Sequence, residues 1–496
     1  MKTLKTIVVV IAVILIQSPA YAAQTEGVQY YAIIMDGVKV GYATHSRIVT
    51  DGQVKTTDFV DMTLNRMGVS MNVKTSESCV ETTDGKPAAF AAEQSLGFMA
   101  SKTQGTIGSD GIVRVQTNTG IQQGSSPQNN FAWPKGAVMA EGLRLLILEK
   151  GLKEGASYDV NIFSPSLLKA ISSHIKVGAK ENVDLFGRIV SLTKIETVMS
   201  MPGTGEISTV NYVDDQYEPL KTIMPMLDIK IELVACEKEV ALGGNEIFDI
   251  GDKMFLASPQ PIENIGSAKQ IGYSLKPTGN ANNLTIPQND NQRVEKLENG
   301  DVIVMVEPVG MPKGGKFPYE GTNKQLIEAI KPSRYLQSDD PKIKELARQA
   351  IGDTKDAGEA AKRIERFAAD YVTDMSLSIG YASAVEVAQS RKGDCSEFSV
   401  LCAALCRAAG IPARVVVGIA YTDNFMGRSG FGGHAWVEVN IDGKWVGLDP
   451  TFTKAGRSFD AGHITLASGD GEPAAFFNIA TTMGRFKIEK VMVERK

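Results

Sequence analysis

The chain has 496 residues, of which 43% are hydrophobic and 22% charged. These values are typical of globular proteins and exclude a wholly disordered or collagen-like chain. Its 52 basic and 57 acidic residues give a net charge of −5, so bulk charge gives no reason to expect nucleic-acid binding. Five cysteines are too few for a disulfide-stapled scaffold, and the length predicts about two to four domains.

The N-terminus has the pattern of a secretory signal. Lys2 and Lys5 precede the apolar run Ile7–Ile16, which is too short to span a bilayer comfortably. Ala20–Ala22 follows with the small-x-small form of a signal peptidase site. We therefore predict a signal peptide at 1–22, cleaved after its last alanine, and export to the periplasm; an uncleaved N-terminal anchor is the alternative. No later segment is apolar for long enough to predict a transmembrane span.

The first half of the chain has the pattern of β structure. Asp-Gly pairs at residues 36, 51 and 84 predict hairpin turns, because glycine tolerates the positive φ that such turns need. One helix is expected, at about 138–150. We predict a β-rich N-terminal region at 23–258 and a small β-rich segment at 259–308. Glycine and proline are dense in the next segment, so 309–335 is predicted to be a linker.

The pattern changes after the linker. Helices are expected at about 341–350, 356–372 and 394–409, where Gly410 is a stop signal for the last of them. Strands are expected next, with Asp442-Gly443 as a tight hairpin turn near the end. Helices followed by an antiparallel sheet define an α+β domain, here at 336–496. The fold class predicted for the whole chain is therefore multidomain, with a mainly-β N-terminal region and an α+β C-terminal domain.

Cys395 is the residue that points most directly to chemistry. It follows Gly393-Asp394 and so falls in the first turn of the third predicted helix. A helix N-terminus carries partial positive charge and unpaired N–H groups, which favour a thiolate over a thiol. A cysteine in that position is expected to have a lowered pKa and to act as a nucleophile.

Two further residues complete a candidate catalytic triad. His434 stands just before an apolar-alternating strand, and Asp449 ends the next strand of the same predicted hairpin. Pairing across the Asp442-Gly443 turn places the two side by side. A carboxylate beside an imidazole fixes its tautomer and stabilises the imidazolium. The sequence thus predicts Cys395 as nucleophile, His434 as base and Asp449 as the residue that orients the base.

Four ordered blocks resemble the bacterial transglutaminase-like superfamily. They are Arg391–Phe398 (RKGDCSEF), Cys406–Val416 (CRAAGIPARVV), His434–Val439 (HAWVEV) and Lys444–Thr451 (KWVGLDPT). The resemblance covers about 340–455 and includes all three catalytic positions of the family pattern. It implies a papain-like core, in which a cysteine at a helix start packs against a sheet that bears histidine and aspartate. It also implies that Trp436 and Trp445 lie around the site.

The resemblance implies acyl transfer through a thioester. In such a reaction the cysteine attacks an amide, ammonia or an amine leaves, and water or another amine takes the acyl group. For an exported protein we favour a peptide bond or a glutamine side-chain amide as substrate, with hydrolysis over cross-linking. A protein or peptide partner is therefore expected. No cofactor and no metal are expected, because Asp423-Asn424 is too little for a Ca²⁺ site and no Cys-x-x-Cys spacing exists.

Several residues near the triad are weaker candidates. Gln389 and Tyr381 are candidate second donors to an oxyanion, although a residue of either kind is more often an ordinary solvated loop residue. The glycine-rich segment 421–433 directly precedes His434 and carries Phe431. It is predicted to be a loop that either lines the cleft as a rim or lid, or is a mobile surface loop. Phe431, Trp436 and Trp445 are accordingly candidate cleft-lining residues.

The remaining cysteines and histidines have simpler interpretations. Cys79 and Cys236 either form a disulfide in an oxidising compartment or are two core cysteines. Cys402 and Cys406 stand four apart on one predicted helix and are interpreted as small core residues. The other three histidines, at positions 45, 174 and 463, are interpreted as structural or surface residues.

A second class of function is compatible with the same sequence. The β-rich N-terminal region would be a periplasmic binding module for a protein, glycan or lipid, and the C-terminal domain a scaffold without catalysis. The two hypotheses differ over Cys395, which must be accessible and reactive in an enzyme and is dispensable in a scaffold.

Overall fold

The protein is described here from a computed structural model. It describes residues 27–66, 69–96, 99–119, 129–201, 205–226, 229–249, 255–278, 284–375, 382–425, 428–471 and 482–495. The described part of the chain forms two compact units that meet in sequence between Ile250 and Gly251. The predicted signal peptide at 1–22 lies outside the described residues. None of the described helices is both long and apolar enough to cross a membrane.

The N-terminal unit is built on one sheet of fifteen strands. The strands are β1 (Val28–Met35), β2 (Val38–Thr50), β3 (Gln53–Arg66), β4 (Val69–Thr82), β5 (Pro87–Leu96), β6 (Met99–Ile107), β7 (Ile112–Thr119), β8 (Asn129–Ala132), β9 (Ala137–Val138), β10 (Ser157–Ser164), β11 (Lys169–Leu185), β12 (Arg188–Met201), β13 (Gly205–Val213), β14 (Pro219–Met226) and β15 (Ile229–Cys236). β1 lies in the middle, and the sheet runs outward from it through β2 to β8 on one side and through β15 to β9 on the other. This confirms the mainly-β prediction.

Tight hairpin turns explain why sequence neighbours are also sheet neighbours. In the turns after β1 and β2, both central residues have positive φ: 45° and 88° at Asp36-Gly37, and 49° and 75° at Asp51-Gly52. A turn of this type matches the right-handed twist of the strands that it joins. β3 illustrates the resulting alternation, since every second residue from Val54 to Leu64 faces the interior or is partly buried there.

The described residues of the N-terminal unit form two helices, α1 (Ala140–Lys150) and α2 (Lys238–Leu242). The sequence predicted the first of them. The carboxylate of Glu81 on β4 accepts the backbone N–H groups of Glu141 and Gly142 at 2.6 and 2.9 Å. These are among the N–H groups that a helix start leaves unpaired, so a strand side chain anchors α1 to the sheet.

The C-terminal unit contains two antiparallel sheets and six helices within its described residues. The strands are β16 (Phe255–Ala257), β17 (Ala268–Pro277), β18 (Gln292–Lys296), β19 (Val302–Val306), β20 (Ala413–Phe425), β21 (Arg428–Ile441), β22 (Lys444–Leu448), β23 (His463–Gly469) and β24 (Phe486–Arg495). The helices are α3 (Lys324–Glu328), α4 (Pro341–Ile351), α5 (Ala357–Tyr371), α6 (Ala384–Ser390), α7 (Cys395–Ala408) and α8 (Pro450–Lys454). Helices precede the main sheet, which confirms the α+β prediction.

The main sheet of this unit has the order β16-β21-β20-β23, and β22 also pairs with β21. Residues 395–407 of α7 are buried, and the helix packs against β20 and β21. The β21–β22 hairpin turns at Asp442-Gly443 as predicted, with Ile441 opposite Lys444. The packing of α7 against the sheet thus fixes the position of each β21 residue relative to the N-terminus of α7.

The small β-rich segment at 259–308 is part of the C-terminal unit. β17 pairs with β19 on one side and with β24 on the other, in a sheet of order β18-β19-β17-β24. The sequence predicted this segment as a division of its own, because its pairing partner β24 lies far away along the chain. The structure instead closes the C-terminal unit with a strand from each end of it.

The predicted linker at 309–335 is packed rather than extended. It contains α3, whose Leu326 is buried, and the Tyr319 backbone N–H donates to the Gly410 carbonyl at 2.8 Å. Glycines and prolines in this segment permit its turns, but they do not separate two bodies.

The prediction of a glycine-rich loop at 421–433 is wrong. Its described residues extend β20 and begin β21, with Tyr421 opposite Phe431 across the pair. Glycine lowers strand propensity, which is why the sequence favoured a loop. Here Gly430 lies directly against the Phe255 ring of β16, so the glycine permits a close approach that a side chain would prevent.

Candidate active site

Cys395 is the first residue of α7 and its side chain is almost fully buried, at 5% exposure. Asp394 caps the helix: its carboxylate accepts the backbone N–H of Ser396 at 3.0 Å and also that of Glu397. Glu397 returns a bond by accepting the Asp394 N–H at 3.0 Å. This reciprocal cap holds the thiol at the positive end of the helix. It also occupies the N–H groups of Ser396 and Glu397, which are therefore not oxyanion donors.

The glycine before the cap is required by packing. A Cβ on Gly393 would collide with Cβ of Glu397. Glu397 is fully buried, and its other oxygen accepts from the Ser396 hydroxyl at 2.7 Å and from the Ala382 N–H at 3.3 Å. The sequence around Cys395 thus builds a rigid, hydrogen-bonded helix start.

His434 and Asp449 meet as the hairpin predicts. Nε2 of His434 lies 2.6 Å from Oδ2 of Asp449, and both side chains are buried. The side chain of Cys395 forms a hydrogen bond with His434. Since Nε2 faces Asp449, Nδ1 is the nitrogen left for the thiol. The three residues therefore stand in the order thiol, imidazole, carboxylate.

The electrostatic surroundings of His434 favour its protonated form, the imidazolium. Burial lowers the pKa of His434, but Asp449 and Cys395 outweigh it and raise that pKa to about 9. Burial raises the pKa of Asp449, but hydrogen bonds and charge from His434 and His463 hold it well below its usual range. At neutral pH the arrangement is thus an ionised carboxylate beside a protonated imidazole. An imidazolium beside a cysteine favours the thiolate, which is the nucleophilic form.

Asp449 is positioned through two of its own groups, the Oδ1 atom and the backbone N–H. It follows β22 directly and is the N-cap of α8, where Oδ1 accepts the N–H groups of Thr451 and Phe452, each at 2.9 Å. Its backbone N–H donates to the Glu365 carboxylate at 2.7 Å. With Oδ1 and the backbone fixed, Oδ2 can point only toward the histidines.

Hydrogen bonds from α5 stabilise the segment that contains Asp449 and α8. Glu365 on α5 also accepts the Thr453 hydroxyl at 3.1 Å, and the Lys454 ammonium donates to the carbonyls of Ala369 and Val372, each at 2.9 Å. Burial raises the pKa of Glu365 to about 6, against the lowering effect of its hydrogen bonds. Because these bonds join α5 to α8 directly below Asp449, Glu365 belongs to the site although it is remote from it in sequence.

His463 also lies beside the triad candidates, where its burial and its partners exclude the surface interpretation and agree with the structural one. It begins β23 and is fully buried. Its Nε2 lies 3.1 Å from Oδ2 of Asp449, the oxygen that also faces His434. Its Nδ1 lies 3.0 Å from the Asp460 carbonyl and 3.3 Å from the Asp460 carboxylate. One carboxylate oxygen is thus shared by two histidines.

Aromatic rings surround the two imidazoles. Phe452 stacks on His434 with 4.6 Å between ring centroids, and Trp436 meets His463 edge-on at 5.1 Å. Trp436 is fully buried and lies 6.2 Å from the His434 ring. The rings exclude water from the imidazoles, which strengthens their interactions with Asp449.

The weaker candidates fall in different places. Trp445 lies under the guanidinium of Arg414, 4.2 Å from it, and is partly exposed. Phe431 is fully buried at 5.4 Å from both Tyr273 and Tyr421, so it is a core residue and not part of a rim or lid. Gln389 lies exposed on α6 and its role as an oxyanion donor stays a prediction, whereas Tyr381 lies outside the described residues.

Sequence reasoning missed Glu365, His463 and α6. A capping box at Ser383–Glu386 precedes α6 and is visible in the sequence as Ser-x-x-Glu. Glu365 gave a weaker signal, as an acidic residue within the apolar pattern of a predicted helix. His463 gave none, because its partner Asp449 is brought to it only by the pairing of β20 with both β21 and β23.

All five cysteines carry free thiols. Cys79 is buried on β4 and Cys236 is partly buried on β15, so the disulfide alternative is not observed. Cys402 and Cys406 are buried within α7, in agreement with their interpretation as core residues. These two provide matched controls for Cys395, since they belong to the same helix.

One cluster of the described residues could offer ligands to a metal: His434, Asp449 and His463, whose ligand atoms all lie within 4.8 Å of one another. Ligand atoms about 2.0–2.1 Å from a tetrahedral zinc ion are separated by roughly 3.3 Å. The His434–Asp449 separation of 2.6 Å is shorter and is that of a charge-assisted hydrogen bond. The donor set therefore fits a hydrogen-bonded group better than a metal centre.

The family comparison agrees with this geometry. Residues 344–450 match the family described as the transglutaminase-like superfamily. The C-terminal part of the chain therefore contains a transglutaminase-like domain, as the resemblance predicted. The matched range includes all three triad candidates but ends before His463.

A segment of 89 residues is 35% identical to the protein-glutamine gamma-glutamyltransferase of Pseudomonas aeruginosa. The segment is 17% of this chain and spans 13% of the length of that relative. The relative's activity as a whole protein is therefore not transferred directly to this chain.

Two solved structures are similar in part. The periplasmic domain of TgpA from Pseudomonas aeruginosa, bound to ethylmercury, has 17% identity and a TM-score of 0.26 over 41% of this chain and 76% of that chain. A β-barrel-like protein of a domain of unknown function, DUF1849, from Brucella abortus has 12% identity and a TM-score of 0.33 over 42% of this chain and 95% of that chain. TM-scores this low carry no inference about function.

Proposed function

We propose that the protein is an exported, thiol-dependent acyl-transfer enzyme that acts on peptide or glutamine side-chain amides. Cys395 is the proposed nucleophile, His434 the acid–base group and Asp449 the residue that orients it. The observation that carries this proposal is the 2.6 Å contact of His434 with Asp449, in a histidine that is also hydrogen-bonded to a thiol at a helix start. An inert core cysteine needs neither the helix start nor the imidazole.

The first half-reaction forms the thioester. The Cys395 thiolate attacks the amide carbon, and the C–N bond then breaks. The departing nitrogen takes the proton from Nδ1 of the His434 imidazolium and leaves as ammonia or an amine. Asp449 stays ionised throughout, because its role is to stabilise the imidazolium and keep the ring in place.

The second half-reaction releases the acyl group. Water or an amine attacks the thioester carbon and gives its proton to the neutral His434. The C–S bond breaks, and the thiolate returns beside the imidazolium. Water yields a carboxylic acid, and an amine yields a new amide. We favour water, which makes the enzyme a deamidase or a cysteine protease; the relative named as a protein-glutamine gamma-glutamyltransferase supports an amide carbonyl as the electrophile.

The proposal is tested by the pH dependence of iodoacetamide labelling in the intact protein, with the modified residue identified by mass spectrometry. We expect Cys395 to react with iodoacetamide at pH values well below ~8.5, the pKa of an ordinary cysteine thiol. His434→Ala should move this labelling toward the ordinary thiol range. Cys402→Ala, which removes a buried thiol from the same helix, should leave it unchanged.

The acyl acceptor is tested with an N-blocked glutamine peptide and, separately, with an unfolded protein. Ammonia release without an added amine indicates deamidation, incorporation of a fluorescent amine indicates cross-linking, and new N-termini indicate proteolysis. Cys395→Ala should abolish whichever activity is found and leave folding intact. If Cys395 labels no faster than an ordinary thiol, the proposal fails and the alternative of a periplasmic binding protein with a non-catalytic domain is favoured.

Export is proposed from the pattern at 1–22 alone. N-terminal sequencing of the mature protein from a periplasmic extract tests it, with Ala23 as the expected first residue. Retention of Met1 in a membrane fraction would instead support the uncleaved anchor.

A further inference from the structure

A second histidine faces the carboxylate that orients His434. Nε2 of His463 lies 3.1 Å from Oδ2 of Asp449, and Nε2 of His434 lies 2.6 Å from the same atom. The ring of His463 is fully buried, so no water competes for this contact at the ring itself. The other oxygen of Asp449 is occupied by the cap of α8.

The proton on Nε2 of His463 follows from its partners. Asp449 is ionised and only accepts hydrogen bonds, so a contact at 3.1 Å requires Nε2 to be the donor. Nδ1 faces both a donor and an acceptor of Asp460, whose backbone N–H and carbonyl oxygen lie at 3.3 and 3.0 Å. Nδ1 can thus be bare or protonated, and Nε2–H is present in both states.

We propose that His463 is a positioning residue that shares Asp449 Oδ2 with His434 and thereby weakens the hold of that carboxylate on the imidazolium. This inference rests on the proposed function and adds a residue to it. The mechanism needs His434 to release its proton to the leaving nitrogen. A second donor on the same oxygen reduces the negative charge that His434 experiences, so the imidazolium remains acidic enough to act.

The groups around the two rings do not counteract this effect. His434 faces Asp449 and Cys395, with the uncharged rings of Phe452 and Trp436 beside it. His463 faces Asp449 and Asp460, and the Phe452, Phe459 and Trp436 rings complete its surroundings. The Asp460 carboxylate is held in turn by Arg457 at 2.7 and 3.1 Å. The Glu365 carboxylate accepts the backbone N–H of Asp449, and the charges of the two carboxylates repel each other in the wild type and in His463 variants alike.

His463→Asn is the informative variant. The asparagine amide reaches the position of Nδ1 and keeps contact with Asp460, but it is too short to reach Asp449. His463→Gln is the matched control, because its longer amide places an N–H donor near the position of Nε2. Both substitutions leave Asp449, Asp460 and the cap of α8 unchanged.

The test is histidine titration by NMR in the intact protein, labelled selectively with ¹⁵N-histidine; only four histidines are present. We expect the apparent pKa of His434 to rise by ~0.5–1 unit in His463→Asn and to return toward the wild-type value in His463→Gln. No change, or a fall in His463→Asn, would overturn the proposal, since a merely structural role loosens the His434–Asp449 contact and lowers that pKa.

A second measurement needs no variant. The Nε2 signal of His463 should be that of a protonated nitrogen at every pH at which the protein is folded, and an unprotonated Nε2 at any such pH would contradict the inference. Neither measurement depends on turnover, so the inference can fail while Cys395 remains reactive. Conversely, an unreactive Cys395 would overturn the proposed function and leave these results standing.

Discussion

The carboxylate of Glu365 accepts the backbone N–H of Asp449 at 2.7 Å, so a side chain of α5 holds the residue that orients His434. The same carboxylate accepts the Thr453 hydroxyl of α8. A buried helix start is normally satisfied by its own cap, and here the cap residue is itself held by a second helix. The position of Asp449 therefore depends on how α5 packs, far from the hairpin that carries it in sequence.

Glu365 gives the first prediction. Glu365→Ala leaves the buried Asp449 N–H without an acceptor, which should cost about 1–3 kcal/mol of unfolding free energy and slow the labelling of Cys395. Glu365→Gln keeps an oxygen acceptor and should label at nearly the wild-type rate. Urea unfolding and iodoacetamide labelling of both variants provide the comparison. Equal labelling rates in the two variants would show that this contact does not position Asp449.

The same residue predicts a pH effect on stability. The folded-state pKa of Glu365, about 6, lies above its ordinary value of 4.5, so the folded state binds more protons between these values. The stability of the wild type should therefore fall as pH rises through this window, by about 2 kcal/mol at most. Glu365→Gln lacks this proton. As pH rises through this window, the unfolding free energy of the wild type should fall relative to that of Glu365→Gln. A difference between the two proteins that stays constant with pH would contradict the prediction.

The raised pKa of His434 predicts a further dependence of stability on pH, for a group that is positively charged when protonated. Its pKa is raised from 6.5 to about 9, so the stability that it gains from Asp449 is fully present below 6.5 and is lost as pH rises toward 9. Asp449→Asn removes the carboxylate, and the variant should lose less stability over this range, by at least about 1 kcal/mol. Chemical unfolding at a series of pH values measures both proteins. Parallel stability curves would argue against a charged His434–Asp449 pair.

The order of losses among the triad candidates gives another prediction. His434→Ala removes the group that exchanges protons with the substrate, whereas Asp449→Asn removes only its orienting partner. Once an assay is in hand, the aspartate variant should retain about 10–100 times more activity than the histidine variant. Cys395→Ser, in which a hydroxyl replaces the thiol, gives the baseline activity against which both variants are compared. A larger loss in Asp449→Asn would count against the assigned roles.

A pair of glycines tests the packing behind the site. A Cβ on Gly418 of β20 would collide with the Ile464 carbonyl of β23 and lie 2.8 Å from Cη2 of Trp436. Gly418→Ala should therefore destabilise the protein by about 1–3 kcal/mol and disturb the ring beside both histidines. Gly432→Ala in the adjacent strand is the control, because no atom lies within 4 Å of its Cβ position. Thermal unfolding that is equally affected in both variants would contradict this packing.

The sequence predicted those parts of the site that depend on local order. A capped helix start predicted the place of Cys395, and one tight hairpin predicted the meeting of His434 with Asp449. The pairing register alone does not make the contact, because strand pairing ends at Val437 and Leu448. Asp449 turns inward as a helix cap immediately afterwards and so reaches His434. Both features lie within a few residues of a recognisable turn or cap.

The parts that the sequence did not predict depend on distant pairing. His463 reaches Asp449 only because β20 lies between β21 and β23, and no local pattern encodes that order. Likewise, the glycines of 421–433 weaken strand propensity, but pairing with β16 and the packing of Phe431 between two tyrosines override it. Tertiary contacts decided both cases.

The pairing of β17 with β24 has a kinetic consequence. It joins strands separated by about 200 residues of intervening chain, and the whole transglutaminase-like domain lies in that interval. Closing so long a loop is entropically slow, and the N-terminal unit needs a closure of similar length, because β1 pairs with β15 across about 190 residues. We therefore expect the C-terminal unit to complete its folding only when β24 pairs with β17. Until that pairing forms, Cys395 would be an ordinary thiol on an incompletely folded chain. The reactivity of the Cys395 thiol would therefore report the completion of folding.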